Sequence, residues 1–256
     1  EKAKDIILPQ SYRVPRQVQH IADQILNRIP DDRRIKKQWA PRPESGTTNH
    51  ITSIEDAPLH NGDWLILART NDKLIKLKPI LKDMAIYFEI KGRKSYKTRL
   101  YTAINNYTRW TNGDKLSLLE CKDLLEFLEE EEIPTEERMY DLFEWGYSRT
   151  EQWHEVFKTD PEESLYIREM LRLKEKLSKP ARVKLSTIHA AKGGEANNVL
   201  LILDNTKKIR DSIERNEDKH DEEQRVWYVG VTRTKQNLYI LTAKHEDKGY
   251  DIESLG

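Results

Sequence analysis

The stretch from Val183 to Leu203 constrains the fold more than any other part of the sequence. Two short apolar runs, Val183–Leu185 and Val199–Leu203, flank a polar loop from Ser186 to Glu195. Apolar runs of this length, rich in Val, Leu and Ile, are typical of buried strands. The loop contains the pair Gly193-Gly194, which lets backbone approach a ligand closely. The stretch predicts two strands joined by a functional loop, although such a Gly pair is more often only a turn.

The composition limits the classes of protein to which the chain can belong. Its 256 residues carry a net charge of zero, so local patches must account for any binding of nucleic acid. No apolar run approaches the roughly 18 residues of a membrane span, and we expect no membrane association. The single cysteine, Cys121, excludes an internal disulfide and favours a reducing, cytoplasmic setting. The chain begins with Glu1 rather than Met, which suggests a fragment or a processed product.

Strand, polar loop and helix follow one another twice in the first half of the chain. The apolar run Asp5–Leu8 precedes Tyr12 and Arg13, and apolar residues then recur at helical spacing, namely Val14, Val18, Ile21 and Ile25. The strand Trp64–Ala68 precedes Arg69 and Asn71, and a second helix follows through Leu74, Leu77 and Leu81. Between them, Pro30–His60 predicts mostly loop, and Ala85–Phe88 predicts a further strand. This alternation predicts an α/β fold with a parallel sheet.

The segment from Arg99 to Lys179 differs in character and predicts an all-helical insert. It contains leucines at helical spacing and three tryptophans, Trp110, Trp145 and Trp153. We interpret its acidic run, Glu129–Glu132, as a solvated helix face, and Arg172–Lys179 as an exit helix.

The end of the chain predicts one more helix and one more strand. We expect Asp204–Asp221 to be a charged, mobile connection. Glu222–Lys235 then predicts a helix whose inward residues include Val226, Tyr228 and Val229, and Leu238–Thr242 predicts the last strand.

Polar residues of one kind follow the predicted strands. They are Tyr12 and Arg13, Arg69 and Asn71, and Thr187 with His189 to Glu195, joined by Arg225 and Arg233 from the late helix. In one parallel sheet, such loops can converge on one edge. Convergent arginines with a tyrosine suit a nucleoside triphosphate, and hydroxyl, amide and imidazole groups suit a single-stranded phosphodiester backbone. An arginine in a loop is nevertheless more often only solvated.

Four stretches resemble motifs of superfamily 1 DNA helicases of the UvrD/Rep type. TIHAAKGGE and EEQRVWYVGVTRTKQNLYIL resemble motifs V and VI, LPQSYRVPRQVQHIA resembles motif IV, and LARTNDKLIKL resembles the strand that follows it. The matches occur in the family's order along nearly the whole chain. The resemblance implies a RecA-like parallel sheet, domain 2A, in residues 1–101 and 181–256, and an α-helical, 2B-like insert in residues 102–180.

The resemblance also implies roles for individual residues. Tyr12 would stack on adenine, Glu195 would hold the ribose, and Arg13 and Arg233 would contact the γ-phosphate as catalytic residues, with Arg233 as the arginine finger. Four residues would grip single-stranded DNA, namely Arg69, Asn71, Thr187 and His189. Lys192 and Arg225 match further motif positions. Departures at Ser11, Gly194, Ala196 and Thr234 affect loop geometry more than ligand contacts.

The cofactor implied is ATP with Mg²⁺, and the partners are single-stranded DNA and an N-terminal RecA-like domain. The sequence contains no GxxxxGK[ST] phosphate loop, so we expect the metal ligands in that other domain and no metal site here. The function implied is the C-terminal part of an ATP-dependent 3′ to 5′ DNA helicase, inactive alone. Two alternatives stay open: a non-catalytic DNA-binding or scaffolding module with this fold, and a helicase–nuclease fusion.

Overall fold

The chain consists of two compact units. A computed structural model describes residues 9–35, 39–191, 193–243 and 249–252. One unit joins Glu1–Arg93 to Pro180–Gly256, and the other is Lys94–Lys179. The second unit thus begins at Lys94, earlier than the insert outlined from the sequence. The predicted strand Asp5–Leu8 and the motif residue Lys192 lie outside the described residues.

Strands and helices alternate in the first unit, and the second unit is helical. The strands are β1 Gln10–Pro15, β2 Ala40–Arg42, β3 Thr47–Ile51, β4 Trp64–Ala68, β5 Phe88–Ile90, β6 Arg93–Lys94, β7 Val183–Thr187, β8 Ala196–Ile202 and β9 Thr234–Leu241. The helices are α1 Arg16–Asn27, α2 Asn71–Asp83, α3 Thr98–Thr111, α4 Leu118–Leu128, α5 Trp153–Val156, α6 Pro161–Arg172, α7 Lys207–Arg215 and α8 Glu217–Val231.

The central sheet of the first unit has the strand order β3-β9-β8-β4-β7-β5-β6. The pairs from β3 to β5 are parallel, and the register places Ala68 of β4 opposite Thr187 of β7 and Ile202 of β8. The predicted α/β fold with a mostly parallel sheet is confirmed. A separate parallel pair joins β1 to β2.

Strand β4 lies at the centre of this unit, and all five of its residues are buried. Side chains alternate between the two faces of a strand. Leu65 and Leu67 therefore face the core formed with α1 and α8, while Trp64, Ile66 and Ala68 face the core formed with α2. Because both faces are covered, the strand is a continuous apolar run rather than an alternating one.

The second unit packs four helices around aromatic side chains. Tyr107 and Trp110 of α3 are buried with Leu124 and Leu125 of α4. Helix α4 begins with a capping box in which Ser117 and Glu120 satisfy each other's backbone amides. An isolated antiparallel bridge between Leu116 and Tyr140 ties the segment after α4 to the residues before it.

Several local predictions were wrong. Tyr12 and Arg13 lie within strand β1, not in a loop after a strand. The run Glu129–Glu132 follows α4, because Glu129 adopts a left-handed conformation that ends the helix. Arg172–Lys179 was predicted to be a helix, but α6 ends at Arg172. Asp204–Asp221 was predicted to be a mobile connection, but it contains α7.

The central position of β4 predicts a large cost for removing one of its side chains. We expect Ile66→Ala to lower the free energy of unfolding by about 2–5 kcal/mol, because the side chain is fully buried and would leave a cavity. The matched control is Ile75→Ala, since Ile75 on α2 is 54% exposed, and it should change stability by less than about 0.5 kcal/mol. Urea unfolding followed by circular dichroism measures both. Equal effects of the two substitutions would contradict this placement of β4.

Candidate functional site

Arg13, Glu195, Arg233 and Lys235 form one group at the amino ends of β8 and β9. Glu195 precedes β8, and Arg233 precedes β9. The backbone amide of Ala196 donates to the carbonyl of Arg233 at 3.3 Å, which fixes these two strand starts side by side. Arg13 reaches the same place from β1, so three separate segments supply the group.

Glu195 is the anion of this group and bridges two cations. Its Oε1 lies 2.6 Å from Nζ of Lys235, and its Oε2 lies 3.4 Å from Nη1 of Arg13. The hydrogen bond from Lys235 is the largest cause that lowers the pKa of Glu195, and Arg13 adds to it. Glu195 is therefore ionised at neutral pH, and three cationic side chains share one carboxylate in the group.

Arg233 and Arg13 repel each other. The pKa of Arg233 is lowered, first by burial and then by the positive charge of Arg13, while Glu195 acts in the opposite direction. A guanidinium nevertheless stays protonated in proteins. The Nε atoms of both arginines are buried and make no hydrogen bond to the residues that the structure describes. Two repelling guanidiniums with unused donors favour an added anion, and phosphate oxygens match their geometry.

Ser11 and Tyr12 complete this edge of the site. The Ser11 hydroxyl accepts hydrogen bonds from the amides of Arg13 at 3.3 Å and Val14 at 3.1 Å, and thus fixes the backbone that carries Arg13. The side chain of Tyr12 is 88% exposed. An exposed aromatic ring on a fixed backbone can stack on a planar ligand.

The opposite edge of the sheet, formed by the carboxyl ends of the strands, carries four candidate residues: Arg69, Asn71, Thr187 and His189. Arg69 and Asn71 follow β4, while Thr187 ends β7 and His189 follows it. The amide of Ile188 donates to the carbonyl of Ala68 at 3.0 Å, so the two strand ends are adjacent. Parallel neighbours thus place these four residues along one edge, with Asn71 and His189 exposed.

A buried carboxylate holds Arg69 in place. Both Glu223 oxygens accept from Nε of Arg69, at 3.0 and 2.9 Å, and the Glu223 side chain is 4% exposed. Trp227 donates its indole N–H to Glu223 at 2.9 Å. A buried charge is costly unless it is paired and hydrogen-bonded. Helix α8 therefore fixes the position of Arg69 at this edge.

Thr187 stabilises the turn after β7. Its hydroxyl accepts from the amide of Ala190 at 3.2 Å, and its carbonyl accepts from the amide of Ala191 at 3.0 Å. The turn presents His189 at the surface. Hydroxyl and imidazole groups at such an exposed edge can contact a phosphodiester backbone.

The expectation that the polar loops converge on one edge was wrong. Strands β7 and β8 run in the same direction, so the residues from Ile188 to Glu195 must return across the sheet. Thr187 and Glu195 therefore lie at opposite edges, separated by roughly 13 Å, the length of a five-residue strand. Arg233 belongs with Glu195 because it precedes β9 rather than following a strand.

Other residues of the site were missed or misplaced by sequence reasoning. Lys235 was missed, although it lies only two residues after Arg233 in the sequence. Glu223 was missed because a carboxylate in a charged helix gives no sign that it is buried. Arg225 does not join the group around Glu195, since it donates to the carbonyl of Arg33 at 2.8 Å. Within the described residues, no cluster of His, Cys, Asp and Glu is placed to hold a metal ion.

Comparison with protein families gives one match. The model described as the UvrD-like helicase C-terminal domain matches residues 95–245, more than half of the 256-residue chain. The resemblance to UvrD/Rep-type helicases inferred from the sequence motifs is thereby confirmed. No curated protein matches the chain. Each helix in the described part of the chain is too short or too polar to cross a membrane.

The contact between Lys235 and Glu195 predicts a measurable change in the pKa of Glu195 when Lys235 is replaced. Because Glu195 has a lowered pKa, its ion pairs stabilise the fold above the unfolded value of 4.5, and this stabilisation disappears as the pH falls through the lower folded value. We expect Lys235→Met to raise the pKa of Glu195 in a ¹³C-carboxyl NMR titration. Lys184→Met, at an exposed position of β7, is the control and should leave that pKa unchanged. An unchanged pKa in Lys235→Met would contradict this geometry.

Proposed function

The chain belongs to the family of UvrD-like helicase C-terminal domains, and we propose that it supplies the second RecA-like half of an ATP-driven DNA motor. Residues Glu1–Arg93 with Pro180–Gly256 would form domain 2A, and Lys94–Lys179 the 2B-like insert. The proposal depends on one observation above all. The group of Arg13, Glu195, Arg233 and Lys235 draws on three segments of the chain, yet it assembles at a single edge of the sheet.

The residues of this group fit ATP. The orphaned Nε donors of Arg13 and Arg233, and the mutual repulsion of the two guanidiniums, favour the oxygens of a polyphosphate. Arg13 and Arg233 would hold the γ-phosphate, Tyr12 would stack on the base, and Glu195 would accept from ribose hydroxyls. When bound, ATP with Mg²⁺ supplies the phosphoryl group whose transfer to water releases free energy. The metal ligands belong to the partner RecA-like domain in this proposal.

Arg233 would act as the arginine finger. Charge accumulates on the oxygens of the transferring phosphoryl group, and a fixed guanidinium stabilises that charge. Arg233 is suited to this task because burial already desolvates it and because its position before β9 is tied to Ala196 of β8. Lys235 would hold Glu195 so that the carboxylate does not neutralise Arg233 itself.

The opposite edge would bind single-stranded DNA. Arg69 is positioned by Glu223, while Asn71 and His189 are exposed beside it and Thr187 stabilises the turn between the strands. Donors of this kind contact phosphates without reading sequence. The direction of translocation, 3′ to 5′, is proposed from the family resemblance alone.

Substitution of Arg233 tests the role of this edge of the sheet. In a protein that joins this chain to a domain with a phosphate loop, Arg233→Ala should lower DNA-stimulated ATP hydrolysis by about 10³–10⁵ while a fluorescent nucleotide still binds. Arg172→Ala is the control, because its side chain is 67% exposed and pairs only with Glu169 among the described residues. The chain by itself should hydrolyse no ATP. Turnover indifferent to Arg233 would instead favour a non-catalytic DNA-binding module.

Substitution of the exposed residues Asn71 and His189 tests whether the carboxyl ends of the strands bind single-stranded DNA. The double variant Asn71→Ala and His189→Ala should weaken binding of a labelled oligo(dT) by about tenfold or more, since hydrogen bonds to charged groups are worth about 1.5–3 kcal/mol each. The control pair is Asn112→Ala and His60→Ala, which are exposed at other places. Fluorescence anisotropy measures the affinity, and nucleotide binding should not change. If both pairs of substitutions weaken DNA binding equally, the proposal that this edge binds DNA is contradicted.

A further inference from the structure

The segment from Glu129 to Glu144 in the helical unit concentrates negative charge. It contains eight carboxylates and one basic residue, Arg138, a formal charge of −7, whereas the whole chain is neutral. Like charges repel the phosphates of nucleic acid, so this surface is unsuited to DNA. The two roles proposed above, ATP binding and single-stranded DNA binding, do not involve this segment.

A pocket opens within this acidic segment. Its volume is about 380 Å³, and its wall includes Ile133, Pro134, Tyr140 and Trp145 together with carboxylates. Three large apolar side chains of the same segment are exposed, namely Ile133 by 45%, Met139 by 52% and Phe143 by 55%. Ile133 is the one of these three that lines the pocket, and an exposed apolar group with a polar rim is typical of a surface that binds another protein.

Hydrogen bonds hold this surface in one conformation. The Trp145 indole donates to the carbonyl of Glu132 at 3.0 Å, and the Tyr140 hydroxyl donates to the carbonyl of Glu136 at 2.6 Å. Tyr140 also pairs with Leu116 through the isolated bridge. A surface fixed in advance loses little conformational entropy when a partner binds.

Arg138 shows how this surface accommodates a cation. Its guanidinium lies 3.9 Å from the centre of the Tyr140 ring and donates to Glu144 at 3.0 Å. Hydrogen bonding from Arg138 is the main cause that lowers the pKa of Glu144 to about 2. Three other carboxylates of the segment, Glu131, Glu132 and Glu137, form no ion pair with any described residue. They can accept the basic side chains of a partner.

We propose that the surface formed by Glu129–Trp145 binds a basic segment of another protein, with a large apolar side chain of that segment inserted into the pocket beside Ile133 and Trp145. Lysine and arginine residues of the partner would pair with Glu131, Glu132 and Glu137. The charge of the surface selects this partner over duplex DNA, and the pocket supplies the specificity that charge alone cannot give.

The test uses the whole chain and a labelled 14-residue peptide of lysines and arginines with one central tryptophan. We expect the peptide to bind, and we expect the triple variant E131Q, E132Q and E137Q to weaken it about tenfold or more. Ile133→Ala should weaken it about fivefold. The controls are Glu214→Gln, an exposed carboxylate on α7, and Ile75→Ala, whose exposure of 54% is close to that of Ile133. Both should bind like the parent chain.

Two further probes separate this proposal from its rivals. A peptide with the same charge but with alanine in place of tryptophan should bind at least several-fold more weakly. If the two peptides bind equally, the attraction is only electrostatic and the proposal fails. It also fails if a labelled 20-base-pair duplex DNA binds the chain and loses affinity in Ile133→Ala, or if no peptide binding depends on Glu131, Glu132 and Glu137.

Discussion

The parallel pairing of β4 with β7 on one side and β8 on the other is the constraint on which the first unit depends. Every residue of β4 is buried, and its alternating side chains contribute to both cores. The register places Thr187 and Ile202 beside the same residue, Ala68. The chain after β7 must therefore return to the far edge before β8 begins. This return separates Thr187 from Glu195, and with them the two groups of polar residues.

Helix α8 gives the two edges a physical connection. Glu223 in its middle holds Arg69, and its last residue, Val231, leads within two positions to Arg233. The nine residues from Glu223 to Val231 span roughly 12 Å of rigid helix. Trp227, buried between them, fixes the helix against the sheet and donates to Glu223. One helix thus carries the carboxylate that holds Arg69 and leads directly into the segment that holds Arg233.

Sequence patterns predicted the interior of this unit better than its edges. The strand Trp64–Ala68 and the helix through Leu74, Leu77 and Leu81 were predictable because burial on one or two faces leaves an apolar period. Strand β3, Thr47–Ile51, was not predicted as a strand of the sheet, since it is an edge strand of mostly polar residues. The motifs identified Arg13, Glu195 and Arg233, but the pairing of Glu195 with Lys235 depends on which strand starts lie together. No local pattern records that arrangement.

The charges around Glu195 show a balance between stability and binding. Arg13, Arg233 and Lys235 share one carboxylate, and the lowered pKa of Arg233 shows that its charge is held against burial and against Arg13. A second carboxylate in the group would relieve this repulsion and stabilise the fold. It would also compete with a phosphate for the same guanidiniums. Local rules of charge compensation are broken mainly where a ligand completes them, which agrees with our proposal that nucleotide phosphates bind at these guanidiniums.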